Sequence, residues 1–408
     1  AMLRQKKVEG RRIAAACAHL RERSQLFFSL LPRGQGRMEF GNRREFLEEN
    51  GEEYLAFQNA LERLKAELNA LPEKPDEVHQ QVRRLDELLV QLSFVMENED
   101  RNTVFWIERR GETSHRRQKG QAEDDSGTSS AKDSFSGGRF VFLQATPIDV
   151  SQILDQGLFE PLETAILTSA TLAVNGGYDY LKRRLGVRLA REMVVPSHFD
   201  YAKQALLYVP PDMPDPRLPG WANAAAQQIR RILEASRGRA FCLFTSYAQM
   251  HEMHERMLAE LAYPLLVQGQ APKNALLNEF RSTPNCVLFA TASFWQGVDV
   301  QGEQLSCVII DRLPFAVPND PVVAARVRAI DAEGGNAFFD YQVPSAVITL
   351  KQGFGRLIRS LNDRGVLVLL DNRVLTKQYG KIFLNSLPPY RRARDFSEVE
   401  EFFAGRRD

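Results

Sequence analysis

Three short apolar runs in this chain end in clusters of hydroxyl-bearing and small residues. Ala165-Ile166-Leu167 leads into Thr168-Ser169-Ala170-Thr171-Leu172, and Ala240-Phe241-Cys242-Leu243-Phe244 into Thr245-Ser246-Tyr247. Cys286-Val287-Leu288-Phe289-Ala290 leads into Thr291-Ala292-Ser293-Phe294-Trp295-Gln296-Gly297-Val298-Asp299. A fourth cluster, Gln352-Gly353-Phe354-Gly355-Arg356-Leu357-Ile358-Arg359-Ser360, stands just before the run Val366-Leu367-Val368-Leu369-Leu370. Such residues at strand ends expose backbone N–H groups to phosphate oxygens. Ser and Thr also cap helices, so one cluster alone says little. Arg356 and Arg359 are three apart, a spacing that on a helix turns both guanidinium groups the same way. Gly355 lets a ligand or a second backbone approach closely. Two fixed guanidinium groups aimed at one spot suit a transferring γ-phosphoryl group. The plain alternative for any Arg-x-x-Arg is a pair of surface ion pairs, and the Gln-x-x-Gly-Arg-x-x-Arg setting weighs against it.

These clusters need a frame. Apolar runs at 139–143, 164–168, 205–209, 240–245, 285–290, 306–311 and 365–370 alternate with helical or turn-rich segments. Continuous apolar strands alternating with helices imply an α/β domain, a parallel sheet covered on both faces. Ligands in such folds sit at the carboxyl ends of the strands. The first hundred residues differ. Ile13, Cys17, Leu20, Phe27 and Leu31 keep helical spacing, as do Phe57, Leu61, Leu64, Leu68 and Leu71, and then Val78, Val82, Leu85, Leu89, Leu92 and Met96. Pro72 and Pro75 break the last two stripes and Asp76 can cap the second, which predicts an antiparallel helical hairpin. Residues 111–138 are polar and Ser/Gly-rich, the composition of a flexible insertion.

Composition excludes several classes. Of 408 residues, 44% are hydrophobic and 26% charged, as in globular proteins. No apolar run reaches the roughly 18–20 residues of a membrane helix, and no signal-peptide core is present, so no membrane partner is expected and a cytoplasmic location is. The 53 basic and 52 acidic residues leave a net charge of +1, so nucleic-acid binding would need local patches. Lys182, Arg183, Arg184, Arg188 and Arg191 form one such group, and Arg391, Arg392 and Arg394 another; each reads first as a solvated face. The cysteines at 17, 242, 286 and 307 are too far apart for a metal clip, and three lie in apolar runs, as buried thiols do in a reducing compartment.

With these motifs in hand, residues 168–172 resemble motif III of superfamily 2 helicases, and 240–247 resemble motif IV. Residues 291–300 resemble motif V, and 352–360 motif VI. The wording Ser-Phe-Trp-Gln-Gly-Val-Asp-Val, then Ile-Asp-Arg-Leu-Pro-Phe (310–315) and Gln-Gly-Phe-Gly-Arg-Leu-Ile-Arg-Ser, is similar to the DinG branch of the XPD-like DNA helicases. The resemblance covers residue 141 to the C-terminus. It implies ATP-driven 5′→3′ movement on single-stranded DNA by RecA-like motor domains, and a monomer acting on single-stranded or forked DNA. It further implies that Arg356 and Arg359 are arginine fingers, with Gln352 and Gly355 beside the nucleotide. Gly297 and Asp299 would couple the nucleotide to DNA, Ser169 and Thr171 would relay its state, and Ser246, Tyr247, Thr291, Ser293 and Phe294 would lie near the strand. For Phe294, core packing is an equal alternative to base stacking. Gln296 stands where the family often has Glu.

On that resemblance, residues 1–102 are an Arch-like helical domain, 103–196 the tail of a first RecA-like domain, and 197–408 the second RecA-like domain. Ser197-His198-Phe199-Asp200 resembles the segment leading into the latter, with His198 structural. No Gly-x-x-x-x-Gly-Lys-[Ser/Thr] loop is present to hold ATP phosphates and place Mg²⁺, and no Asp-Glu-x-His follows a strand; Gly380-Lys381 is followed by Ile382. Asp311, after Val308-Ile309-Ile310, is the one tempting substitute, but Asp is common at strand ends and the resemblance places this segment in the second motor domain, so no metal ligand is expected in this chain. The family's iron–sulfur cysteines would lie upstream. Ala1 before Met2 reads as a residue left by tag cleavage, and the expectation is a piece of a longer helicase that does not hydrolyse ATP alone. The competing class is a non-catalytic RecA-like module that grips DNA or a partner; paired guanidinium groups are of no evident use to it.

Overall fold

The computed structural model describes residues 2–34, 36–110, 140–291, 294, 300 and 302–405. By internal contacts the chain forms two compact units, one of residues 1–148 with 318–326 and one of 149–317 with 327–408. The insertion expected at 111–138 lies outside the described residues.

In the first unit the apolar stripes become helices Met2–Leu30, Arg43–Asn69 and Asp76–Glu97. The last two form the expected hairpin: Leu61 and Leu85 share one core, and Lys65 pairs with Asp86 across it at 2.7 Å. Pro75 occupies the N-cap and Asp76 is the first helical residue without a capping bond, so the cap expected of Asp76 is not made. Phe27 stacks on Phe57 with ring centroids 5.4 Å apart, whereas Cys17 of the first stripe is exposed. Against these helices lies an antiparallel sheet of β1 (Gly36–Glu39), β2 (Thr103–Arg110) and β3 (Phe140–Pro147), with β2 central. Strand alternation sends Phe105, Ile107, Val141, Leu143 and Ala145 toward the helices. On the opposite face Val104 and Trp106 pack against Ile148, Val322 and Ala325 of the returning segment. Asp320 of that segment holds Arg37 at 3.1 Å, and Arg326 Nε donates to the Ile148 carbonyl at 3.0 Å. Residues 140–143 of the run expected at 139–143 therefore belong to this sheet and not to the parallel one.

The second unit carries a seven-stranded parallel sheet. Its strands are β4 (Ala205–Tyr208), β5 (Ala240–Phe244), β6 (Leu265–Val267), β7 (Val287–Thr291), β8 (Cys307–Ile310), β9 (Gly365–Leu369) and β10 (Arg391–Arg392). Their order is β10-β4-β9-β8-β5-β7-β6. Successive residues alternate between two cores: Phe241, Leu243, Val308, Ile310, Leu367 and Leu369 meet helices Lys273–Ser282 and Val343–Phe354. Cys242, Phe244, Cys307, Ile309, Val366 and Val368 meet Trp221–Ser236, Tyr247–Glu260 and Phe396–Ala404. Five of the expected runs become strands here. β6 and β10 were not expected, being too short to show a period. Residues 164–168 form no strand: no described strand pairs with them, and Ile166 is 86% exposed. An apolar run becomes a strand only where a ladder satisfies its backbone.

Candidate functional site

Because all seven strands run parallel, the loops after β5, β7, β8 and β9 open on one edge of the sheet. At the end of β5, Ser246 caps the helix Tyr247–Glu260 by accepting from the Gln249 N–H at 3.2 Å. Beside it, Thr245 donates its N–H to Asp311 Oδ1 at 3.0 Å, and Arg312 donates its own at 2.7 Å. Asp311 is fully buried, and desolvation outweighs these donors and pushes its carboxyl up to about 7. Arg312 donates to Gln249 Oε1 at 3.1 Å while its guanidinium lies 4.1 Å from the Trp221 ring centre. At the end of β9, buried Asp371 accepts from the Leu313 N–H at 2.8 Å and takes the Arg373 guanidinium in a forked pair.

Tyr247 and Thr291, on different strand ends, meet through a residue the sequence motifs do not mark. The Gln268 side-chain amide donates to the Tyr247 hydroxyl at 2.7 Å, and its oxygen accepts from the Thr291 N–H at 2.8 Å and hydroxyl at 3.0 Å. Gln268 follows a three-residue strand, so no periodicity could single it out. Phe294 is 4% exposed, packs in the core, and has the Lys273 ammonium 5.2 Å from its ring centre. Its ring is thus closed to a base, and of the two alternatives core packing is the one observed. Ser293, Gly297 and Asp299 lie outside the described residues.

The Arg356/Arg359 segment is built differently from the helix its spacing implied. Helix Val343–Phe354 ends two residues before Arg356, at the Gly353/Gly355 pair, where low helix propensity meets a cap bond from the Gly355 N–H to the Lys351 carbonyl at 2.8 Å. Arg356 sits in the following turn and Arg359 beyond it outside any regular element, both half-buried. What fixes the second of them is Asp363, 4% exposed, which accepts from the N–H groups of Arg359 and Ser360, each at 2.7 Å, and of Gly302 at 3.2 Å. The Gln204 amide donates to the carbonyls of Ser360 at 3.0 Å and Asp363 at 3.0 Å. Gln352 is half-buried on the helix. Next to it, Lys351 donates to the Ala173 carbonyl at 2.8 Å, and burial lowers the pKa of its ammonium. That bond brings residues 168–173 and 352–360 onto shared ground. Within the first of these, Ser169 Oγ lies 3.3 Å from Thr171 Oγ1 and accepts from the Thr171 N–H.

The basic group at 182–188 is ion-paired: Lys182 with Glu192 and Asp179, Arg183 with Asp340, Arg188 with Asp155. A solvated face accounts for it. Cys242, Cys286 and Cys307 are buried, and burial pushes their thiols up, that of Cys286 to about 11, so in this fold they are protonated thiols. Among the described residues no group of three or more His, Cys, Asp or Glu could hold a metal ion. No described helix is long and apolar enough to cross a membrane.

Comparison with known proteins gives this geometry its context. Residues 229–390 match the family model for the helicase C-terminal domain. The chain is 46% identical over 266 residues to the ATP-dependent DNA helicase YoaA of Escherichia coli, an overlap of 65% of this chain and 42% of that protein. It is 38% identical over 263 residues to the ATP-dependent helicase DinG of Mycobacterium tuberculosis, covering 63% and 39% respectively. The 3'-5' exonuclease DinG of Bacillus subtilis is 32% identical over 279 residues, covering 66% and 30%. The chain thus spans well under half the length of these relatives. Its fold resembles that of an XPD helicase structure, with a TM-score of 0.53 at 15% identity over 93% of this chain and 64% of that one. The S. tokodaii Xpd4 structure gives 0.50 at 14% over 90% and 63%. Residues 229–390 thus carry a helicase C-terminal domain, on an α/β fold like that of XPD, and the chain is similar to DinG- and YoaA-type helicases over part of their length.

Proposed function

We propose that this chain is the finger-bearing part of an ATP-dependent DNA helicase that moves 5′→3′ on single-stranded DNA and opens forked duplexes as a cytoplasmic monomer. Arg356 and Arg359 reach the γ-phosphate, Gln352 and Gly355 border the nucleotide, and Gly297 and Asp299 couple it to the strand. Ser246, Tyr247, Thr291 and Ser293 touch DNA. The phosphate cradle and the Mg²⁺ ligands lie on residues outside this chain, as does any iron–sulfur cluster. Residues 1–102 are the Arch-like part, 103–196 the tail of the first motor domain, and 197–408 the second. The contact units cut across this division because strands 103–110 and 140–147 pack on the helices before them.

The observation that carries the reading is the Lys351–Ala173 bond, which ties the motif III segment carrying Ser169 and Thr171 to the helix that leads into the fingers. A nucleotide state sensed at one has a direct path to the other. ATP hydrolysis by the chain, with and without single-stranded DNA, tests the division of labour. The expected result is no turnover together with salt-sensitive DNA binding. Robust turnover abolished by Arg359→Ala would overturn it, since the cradle would then lie within this chain. Absence of DNA binding at any salt would favour a module that grips a protein partner.

A further inference from the structure

Lys351 is a half-buried cation with no counter-ion among the described residues. It stands in the last turn of helix Val343–Phe354, and its side chain donates to the Ala173 carbonyl at 2.8 Å. That is its one described hydrogen bond, and it makes no described ion pair. Desolvation lowers the pKa of its ammonium, and no nearby carboxylate offsets that. Lys65, Lys182 and Lys203 differ, since each pairs with a carboxylate and has its pKa raised. Asp363, the buried carboxylate of the adjoining turn, is taken up by the N–H groups of Gly302, Arg359 and Ser360. Besides the Ala173 carbonyl, only the carbonyl end of its own helix favours the charge.

The same bond holds the segment that carries Ser169 and Thr171. Those two residues bond to each other and to nothing else among the described residues. Residues 161–170 are exposed throughout. The next fixed point is the Asn175 N–H, which donates to Ser386 Oγ at 2.7 Å. Burying a charge is costly unless a counter-charge and hydrogen bonds compensate it. An ammonium has three donors, of which the protein takes up one. Phosphate oxygens supply both the missing negative charge and acceptors for the other donors. Lys351 directly precedes Gln352 and the turn of Arg356, which the helicase reading sets around the nucleotide. We propose that Lys351 is a phosphate-responsive tether, whose ammonium exchanges the Ala173 carbonyl for a phosphate of a bound nucleotide and so frees residues 168–173. It is a positioning residue, acting through that segment. The proposal rests on the helicase reading, which supplies the phosphate chain.

The test adds ATP or tripolyphosphate to the whole chain and reads Lys351 itself. Its ε-carbon NMR resonance, assigned by its loss in Lys351→Met, reports the ammonium pKa. That pKa should move up by about one pH unit when the anion binds. Hydrogen exchange over residues 168–175 should quicken severalfold in the parent on the same addition. Lys351→Met should bind the anion about tenfold more weakly and exchange fast with or without it. Lys351→Arg should restore the binding. A response to ATP alone assigns the effect to the nucleotide, and an equal response to tripolyphosphate assigns it to the phosphate chain; either supports the tether. A resonance that neither anion moves would overturn it and leave the counter-ion of Lys351 to a carboxylate outside this chain. Exchange in the parent that does not quicken at saturation would overturn it too. Arg359→Ala separates the two ideas. If it abolishes anion binding and Lys351→Met leaves binding intact, the finger reading stands and the tether falls. The reverse pattern supports the phosphate contact of Lys351 and overturns the finger assignment.

Discussion

Asp363 accepts the backbone N–H of Arg359 at 2.7 Å, so a buried carboxylate four residues downstream, and not a helix, places the second arginine. The same carboxylate reaches Ser360 and Gly302, fastening the arginine-bearing turn to the loop that precedes β8. Arg359→Ala would remove a guanidinium; changing Asp363 would move it.

Asp363→Ala leaves three backbone donors without their acceptor in a buried place. Each such loss costs about 1–3 kcal/mol, less where water can enter. The expected outcome is a loss of roughly 3 kcal/mol in urea unfolding, with Asp363→Asn intermediate because one amide oxygen still accepts. An unchanged midpoint for the alanine variant would falsify the anchoring role.

Asp311 gives the stability a pH dependence of known sign. Its carboxyl is raised to about 7 in the fold, above its ordinary value of 3.8, so the native state holds the proton longer than the unfolded chain. The contribution is therefore most favourable below about pH 4 and is lost as pH rises toward 7, amounting to a few kcal/mol at most. Asp311→Asn should flatten the stability profile between pH 5 and 7, read by denaturant midpoints across that range. A profile as steep as the parent's would assign the slope to other groups.

Gln268→Leu cuts the bridge between Tyr247 and Thr291 without removing either. The Thr291 N–H loses its acceptor, at a cost of about 1–2 kcal/mol. Oligothymidylate affinity should fall about three- to tenfold if the two residues act on the strand as a pair. Equal affinity would show that each contacts DNA on its own.

Lys351→Met trades a half-buried ammonium, which burial already disfavours, for an apolar chain of similar length. Global stability should change by less than about 1 kcal/mol. Hydrogen exchange over residues 168–175, by contrast, should quicken severalfold as Ala173 loses its tether. Exchange no faster than in the parent would mean the segment is held elsewhere.

Much of this architecture was legible in the sequence. Runs such as 240–245 and 306–311 became central strands because both cores demand apolar residues at every position. The helical stripes likewise found one another through Leu61 and Leu85. What escaped was conditional on partners far along the chain. Residues 164–168 have the composition of a strand and no described neighbour to pair with. The spacing of Arg356 and Arg359 mimics a helix that two glycines have already ended. Gln268, Gln204, Lys351 and Asp363 act through single bonds to residues that only the fold brings near, and no local pattern announces them.

The two-sided apolar character of the parallel sheet has a consequence for how the chain finds its native alignment. With Leu243 facing one core and Cys242 the other, a strand displaced by one residue would bury nearly as much apolar surface as before. Hydrophobicity therefore cannot proofread the sheet. The polar terminators can: a one-residue shift of β8 would drag Asp311 into the ladder or strand it from Thr245. A shift of β9 would replace Gly365, whose Cβ would sit 2.5 Å from the Ser306 carbonyl, with a side chain that does not fit. The residues that close the strand ends thus double as alignment marks, and a substitution there can act on the fidelity of folding before it acts on any ligand.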